Sequence, residues 1–263
     1  MATKATNQAG TLVRWAGIAV ALFILPSELN KIKIPVPSFG TDEKIGKIQA
    51  REKRIRAGEI DLGTQQGFNI AIEEIKKGDD KHQAKVEIGE FGEMSYRYYR
   101  REGEAAKTIE ELDEQVKNRS EFWQSQQKLA QLLTILTDLN VLVVIGEPRL
   151  KGADGEWDAS SQTIRIAPRA LNKGSKAVER ILNHEAIHVA QSCYNGGINY
   201  KPRALDIELS PAKIYRRHLD SEIYSQIGEK TKLIESEAYS YEYSSKAARH
   251  FLSEHCKRQR NPS

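Results

Sequence analysis

Residues 184–188 read His-Glu-Ala-Ile-His, a spacing that suits metal-assisted hydrolysis. Histidines four positions apart on a helix lie one above the other on the same face, so their imidazoles can bind one zinc ion. Glu185 projects from the edge of that face, where its carboxylate can reach a metal-bound water rather than the metal. Zinc lowers the pKa of that water, and the carboxylate takes its proton as hydroxide attacks a peptide carbonyl. We therefore predict a hydrolytic zinc site with His184 and His188 as ligands. The alternative is a pair of surface histidines on a charged helix.

A catalytic zinc needs a third protein ligand. Residues 235–239, Glu-Ser-Glu-Ala-Tyr, are the best source of one, and they lie in a helix predicted over about 229–257. Either Glu235 or Glu237 can bind the metal, but not both easily, because positions two apart on a helix face away from each other.

Together, these segments resemble the zincin metallopeptidases, in particular the gluzincin branch. In those families one helix carries His-Glu-x-x-His and a second helix supplies a Glu, often within Glu-x-x-Ala. Glu235 and Ala238 match that second pattern, so the resemblance favours Glu235 as the ligand over Glu237. Gln191 matches members that read His-Glu-x-x-His-x-x-Gln, where it could hold the site or a neighbouring loop by hydrogen bonds. Tyr239 departs from the pattern, because an acid or amide often stands there.

The resemblance covers roughly residues 140–256 and implies a zinc metalloendopeptidase that cleaves extended protein or peptide segments with Zn²⁺ as its cofactor. It also implies an edge strand before the active-site helix, to which the substrate adds as a further strand. The candidate for that strand consists of Thr163, Ile164, Arg165 and Ile166. The alternatives are a catalytically weak zincin-fold module for binding, sensing or assembly at a membrane, and a coincidental motif in an unrelated helical protein.

Zincins usually also supply a Tyr or His that donates to the developing oxyanion. We take Tyr239 as our candidate for this role, although the sequence does not choose among several. The others are Tyr194, Tyr200, Tyr224 and His218.

The chain has two cysteines, and each falls near the end of a predicted helix. Cys193 follows the histidines, and Cys256 lies near the end of the helix that carries Glu235. A disulfide between them would join the two elements that hold the zinc, if the chain is exported to an oxidising compartment. Two unrelated thiols are the alternative.

The composition limits the class of protein. The 263 residues are 39% hydrophobic and 29% charged, with a net charge of +4. This excludes a multi-span membrane protein, a collagen-like fibre and a disulfide-dense miniprotein. The small excess of basic residues is mixed with nearly as many acids, so we expect no nucleic-acid partner. The oligomeric state is open.

The N-terminus departs from these averages. Residues 15–25 hold no charge, and Lys4 and Arg14 precede them, which is the layout of a signal peptide or signal anchor. Because the run is short for a full span, an uncleaved membrane anchor, a cleaved targeting segment and a buried helix all remain open, with the anchor favoured. The layout predicts a catalytic domain on the extracytoplasmic or lumenal side. The lysines just after the run weakly favour the opposite orientation.

The remaining elements follow from hydrophobic periodicity. We predict a helix over 64–77 ended by Gly78, short strands around 84–100 with 96–99 half-buried, and one or two helices over 109–139. A buried strand at 141–145 and a second strand at 163–166 come next, followed by the active-site helix with Ser175 as a candidate cap. The predicted class is α+β, a mainly helical zincin-like domain with a small sheet, preceded by an anchor or targeting helix. The predicted divisions are an N-terminal segment (1–26), a basic linker (27–60), a mainly helical region (61–139) and the catalytic domain (140–257).

Overall fold

The computed structural model describes residues 11–15, 52–100, 105–117, 120–209 and 228–256. They form an α+β fold, which confirms the predicted class. The helices are α1 (Gln65–His82), α2 (Ile109–Lys117), α3 (Ser120–Asp138), α4 (Pro168–Leu171), α5 (Ser175–Tyr194), α6 (Glu229–Tyr241) and α7 (Ser245–His255). The strands are β1 (Thr11–Trp15), β2 (Ile60–Asp61), β3 (Lys85–Ile88), β4 (Met94–Tyr98), β5 (Leu142–Ile145), β6 (Gly155–Asp158) and β7 (Thr163–Ile166).

The larger sheet has the strand order β2-β5-β7-β6. β5 and β7 run parallel, with Leu142 opposite Thr163, while β2 and β6 pair antiparallel at the two sides. Every residue of β5 and β7 is buried. For β5 this confirms the prediction from its short β-branched run. The sheet therefore provides a buried layer beside α5.

α5 is the central helix of the fold. It packs against α3, α6, α7 and β6, and nearly all of its residues are buried. Val178, Leu182 and Val189 contact the main core. Apolar residues on several faces of a helix are typical of a helix that is enclosed by the rest of the protein. The predicted helix is confirmed, and its histidines lie inside the protein rather than on a charged surface.

The cap of α5 differs from the prediction. Ser175 does not cap the helix itself; it is the first helical residue, after Gly174. The carboxylate of Asp79, in α1, accepts hydrogen bonds from the backbone N–H of Ser175 (2.7 Å) and from its hydroxyl (3.0 Å). A carboxylate is favoured there because the helix N-terminus carries a partial positive charge. The start of α5 is therefore fixed by a residue that is distant in sequence.

Gly78 does not end α1, contrary to the prediction. The helix continues to His82, and Gly78 lies where α1 crosses the segment before α5. A Cβ atom there would lie 2.5 Å from the backbone nitrogen of Gly174 and 2.8 Å from the carbonyl of Asn172. Gly78 therefore serves a close backbone approach, and it allows Asp79 to reach Ser175.

A second, smaller sheet has the order β1-β4-β3, with all pairs antiparallel. Its core contains Tyr96 and Tyr98 of β4 with Leu112 of α2. The Tyr96 hydroxyl also donates to the carboxylate of Asp113. The predicted half-buried strand is confirmed for residues 96–98, whereas Tyr99 lies beyond the end of β4 and is exposed.

The apolar N-terminal run lies outside the described residues except at its first position, Trp15, which ends β1. Most of the predicted basic linker also lies outside them. In the described part of the chain, no helix has the length and apolar character needed to cross a membrane.

The single helix predicted over 229–257 is two helices. α6 ends at Tyr241, and α7 begins after Ser244, whose hydroxyl accepts a hydrogen bond from the backbone N–H of Ala247. The predicted Cys193–Cys256 disulfide is present. It joins the end of α5 to the end of α7, and not directly to α6 as we expected.

Candidate metal centre

Three potential ligands converge between α5 and α6: His184, His188 and Glu235. The two Nε2 atoms are 3.2 Å apart. The Glu235 carboxylate places Oε2 at 3.4 Å from Nε2 of His184 and Oε1 at 3.6 Å from Nε2 of His188. The sequence-predicted ligands therefore lie together, with their donor atoms facing one another.

This arrangement fits a zinc ion. Two atoms that each lie 2.0–2.1 Å from zinc at a tetrahedral angle are about 3.3 Å apart. The two imidazole nitrogens are 3.2 Å apart, close to that value, and each lies 3.4–3.6 Å from a different oxygen of the Glu235 carboxylate. Two imidazole nitrogens and one carboxylate also form a donor set that zinc accepts, with a further position left for water.

Charge in the cluster also favours a cation. Burial lowers the pKa of His184, but the carboxylates of Glu235 and Glu242 outweigh it and raise that pKa to about 10. Burial raises the pKa of Glu235, but His188 and His184 hold it well below its usual range. The buried rings thus lie in a strongly negative environment, in which positive charge is stabilised.

Glu185 lies on the side of α5 that faces β6. It is 5% exposed, and burial raises its pKa against the opposing effect of His184 and His188. A Cβ atom on Gly155 would come within 2.6 Å of its Oε1. The carboxylate therefore lies beside the histidines and directly against the edge of the sheet.

Glu237 faces a different part of the protein. It is 0% exposed, and its Oε2 accepts hydrogen bonds from Gln191 Nε2 and from the backbone N–H of Leu205, both at 2.8 Å. Its Oε1 accepts from the backbone N–H of Ile207 at 3.3 Å. Of the two carboxylates that the sequence left open, the structure places Glu235 beside the imidazoles and Glu237 at the 205–207 segment.

Gln191 connects these two groups. Its Oε1 lies 2.7 Å from Nδ1 of His188, while its amide nitrogen donates to Glu237 and to the carbonyl of Ile234. An Nδ1–H that donates to this oxygen leaves the Nε2 lone pair of His188 directed at the cluster. Gln191 therefore makes hydrogen bonds both to a candidate ligand and to the carboxylate that holds the 205–207 segment.

Tyr239 packs its ring edge-on against His184, with 4.5 Å between the ring centroids. Tyr194 and Tyr200 are 42% and 50% exposed, and Tyr194 contacts His255 instead. Tyr224 and His218 lie outside the described residues. Tyr239 is thus beside a candidate ligand, and its oxyanion role stays a prediction.

The substrate strand predicted at Thr163, Ile164, Arg165 and Ile166 is wrong. These residues form β7, which is paired with β5 on one side and β6 on the other, so its backbone cannot accept a further strand. The Arg165 side chain is also buried, and it donates to the Glu59 carboxylate at 2.8 Å. In the described part of the chain the strand at this edge of the sheet is β6, next to α5.

Sequence reasoning did not identify Glu242. This buried residue follows the last residue of α6, and its Oε2 lies 3.6 Å from Nδ1 of His184. No motif marks it, because it lies beyond the Glu-x-x-Ala pattern.

A family described as "Domain of unknown function (DUF8637)" matches residues 160–257, a span that is less than half of the chain and contains the whole cluster. No curated protein and no solved structure matches the chain.

Proposed function

We propose that the protein is a zinc-dependent metalloendopeptidase of the gluzincin type. The observation that carries this proposal is the convergence of His184, His188 and Glu235. The two imidazole nitrogens lie 3.2 Å apart, as tetrahedral zinc ligands do, and both face the Glu235 carboxylate. Glu185 lies beside the cluster but is not one of the candidate ligands. A metal site that only stabilised the fold would not need this carboxylate.

A bound zinc ion would polarise the scissile carbonyl and acidify the attacking water. Glu185 acts as a general base when it takes the proton from that water. It then acts as a general acid when it passes the proton to the leaving amine. Its burial between α5 and β6 keeps bulk water away from this transfer. Tyr239, against His184, is the candidate donor to the developing oxyanion.

An extended substrate segment adds to the side of β6 on which no strand of the described residues pairs. Main-chain hydrogen bonds to an exposed edge are a common way of binding extended peptides. Gly155 of β6 lies against Glu185, so a substrate along this edge passes the proposed base. This transfers the substrate-binding role from β7 to β6.

The disulfide between Cys193 and Cys256 supports an oxidising compartment. Together with the apolar run at 15–25, it favours a catalytic domain anchored by its N-terminus and located on the extracytoplasmic or lumenal side of a membrane.

Metal analysis combined with one variant tests the proposal. We expect about one zinc per chain, and cleavage of an unfolded protein such as casein by the wild type. Glu185→Gln should retain zinc and lose cleavage. A metal-free native preparation would overturn the proposal. One zinc per chain without any cleavage by the wild type would instead favour a zincin-fold module for binding, sensing or assembly.

A further inference from the structure

The two candidate histidine ligands differ in the contacts of Nδ1, the ring nitrogen that faces away from the cluster. Nδ1 of His188 has Gln191 Oε1 at 2.7 Å. Nδ1 of His184 is buried and makes no hydrogen bond within the described residues, but Oε2 of Glu242 lies only 3.6 Å away. A carboxylate is therefore next to the ring nitrogen that needs a partner.

Glu242 is held in this place by residues of α5. Asn183, which precedes His184, donates from its side-chain amide to the backbone carbonyl of Glu242 at 2.9 Å. Arg180, one helical turn before His184, has Nη1 at 3.8 Å from Oε1 of Glu242. The same guanidinium donates to the hydroxyl of Tyr243. These contacts fix both the main chain and the charge of Glu242.

The position of Glu242 relative to Glu235 explains why both reach the same ring. Residues seven apart lie two turns apart on nearly the same face of a helix. Glu235 approaches His184 from the Nε2 side and Glu242 from the Nδ1 side, while Tyr239 packs against the ring. Glu242 caps α6 with helical backbone angles (φ −57°, ψ −24°), so the face that carries Glu235 continues to Glu242.

We propose that Glu242 is a positioning residue for His184. Closing the 3.6 Å separation between Nδ1–H and Glu242 Oε2 to a hydrogen bond would fix the tautomer and orientation of the ring and direct the Nε2 lone pair at the metal. The Glu242 carboxylate lies two helical turns after Glu235. Tyr239 stands at the position where the gluzincin pattern often has an acid or amide. The inference rests on the proposed zinc site and assigns the group that supports one of its ligands.

Zinc affinity measured by competition with a chromophoric chelator tests the role directly. Loss of such a partner typically weakens metal binding 10–100-fold, and we expect that range for Glu242→Ala. Glu242→Gln retains an acceptor oxygen and should fall between the wild type and the alanine variant. Glu254→Gln is the matched control, because Glu254 is an exposed glutamate of α7 paired with His250, and its zinc affinity should equal that of the wild type.

The absorption spectrum of the Co²⁺-substituted protein separates positioning from a purely structural role. Positioning predicts shifted ligand-field bands in Glu242→Gln. A structural role predicts a lower melting temperature with an unchanged spectrum and zinc affinity, and that result would overturn the inference. If Glu242→Ala does not fold, the near-isosteric Glu242→Gln decides alone. Zinc binding by the wild type with equal affinity in both variants removes only this inference, whereas no zinc binding by the wild type removes the proposed function with it.

Discussion

Gly155 and Glu185 are in such close contact that no side chain fits between them. A Cβ atom at Gly155 would lie 2.6 Å from Oε1 of Glu185 and 2.7 Å from Cγ2 of Ile181. Both distances are far below ordinary van der Waals contact, so only glycine lets the edge strand β6 approach α5 this closely. The position of the proposed base is thus set by the absence of a side chain on the neighbouring strand.

Gly155→Ala should therefore reduce catalysis without removing the metal. The added methyl group displaces either the Glu185 carboxylate or β6, and a misplacement of this size can cost roughly 10–100-fold in rate. We expect about one zinc per chain and a kcat/KM for a peptide substrate that is lower by that factor. Gly228→Ala is the control, because a Cβ atom there meets nothing within 4 Å and its φ is −70°. Wild-type kinetics in Gly155→Ala would contradict the proposed position of the base.

Local patterns are sufficient to predict helix α5 and the strands β5 and β7. The His-Glu-x-x-His spacing and the apolar positions of α5 depend on contacts within a few helical turns, and the short β-branched run of β5 is read in the same way. The structure agrees with these predictions because periodicity reports which face of an element is buried.

Features that depend on distant parts of the chain could not be predicted in this way. Asp79 caps α5 from α1, and Gly78 serves an interhelical contact rather than a helix end. The strand order places β7 inside the sheet, although its sequence is equally suited to an edge. Glu242 reaches His184 because α6 packs against α5. Each of these depends on tertiary packing, which sequence spacing does not encode.

Separate substitutions of Glu235 and Glu237 by glutamine should show which carboxylate binds the metal and which one stabilises the fold. Glu235→Gln is expected to lose zinc, because an amide is a poorer ligand than the carboxylate that lies between the two imidazoles. Glu237→Gln should keep zinc but lower the free energy of unfolding by about 1–3 kcal/mol. Its buried carboxylate accepts from Gln191 and from two backbone N–H groups, and an amide cannot satisfy all of these donors. Metal analysis and urea denaturation provide the two measurements. Loss of zinc from Glu237→Gln alone would transfer the ligand role to Glu237.

The Cys193–Cys256 bond should contribute substantially to stability. It links positions 63 residues apart in sequence, and a crosslink of this span stabilises a protein by roughly 2–4 kcal/mol, chiefly by restricting the unfolded chain. Reduction should lower the urea midpoint of the wild type. The double variant Cys193→Ala, Cys256→Ala should have a similarly low midpoint whether or not reductant is present, which controls for other effects of the reagent. In addition to the disulfide, α7 makes packing contacts with α5 and α3. The variant should therefore remain folded and retain zinc. Equal midpoints for the oxidised wild type and the double variant would show that the bond does not stabilise the fold.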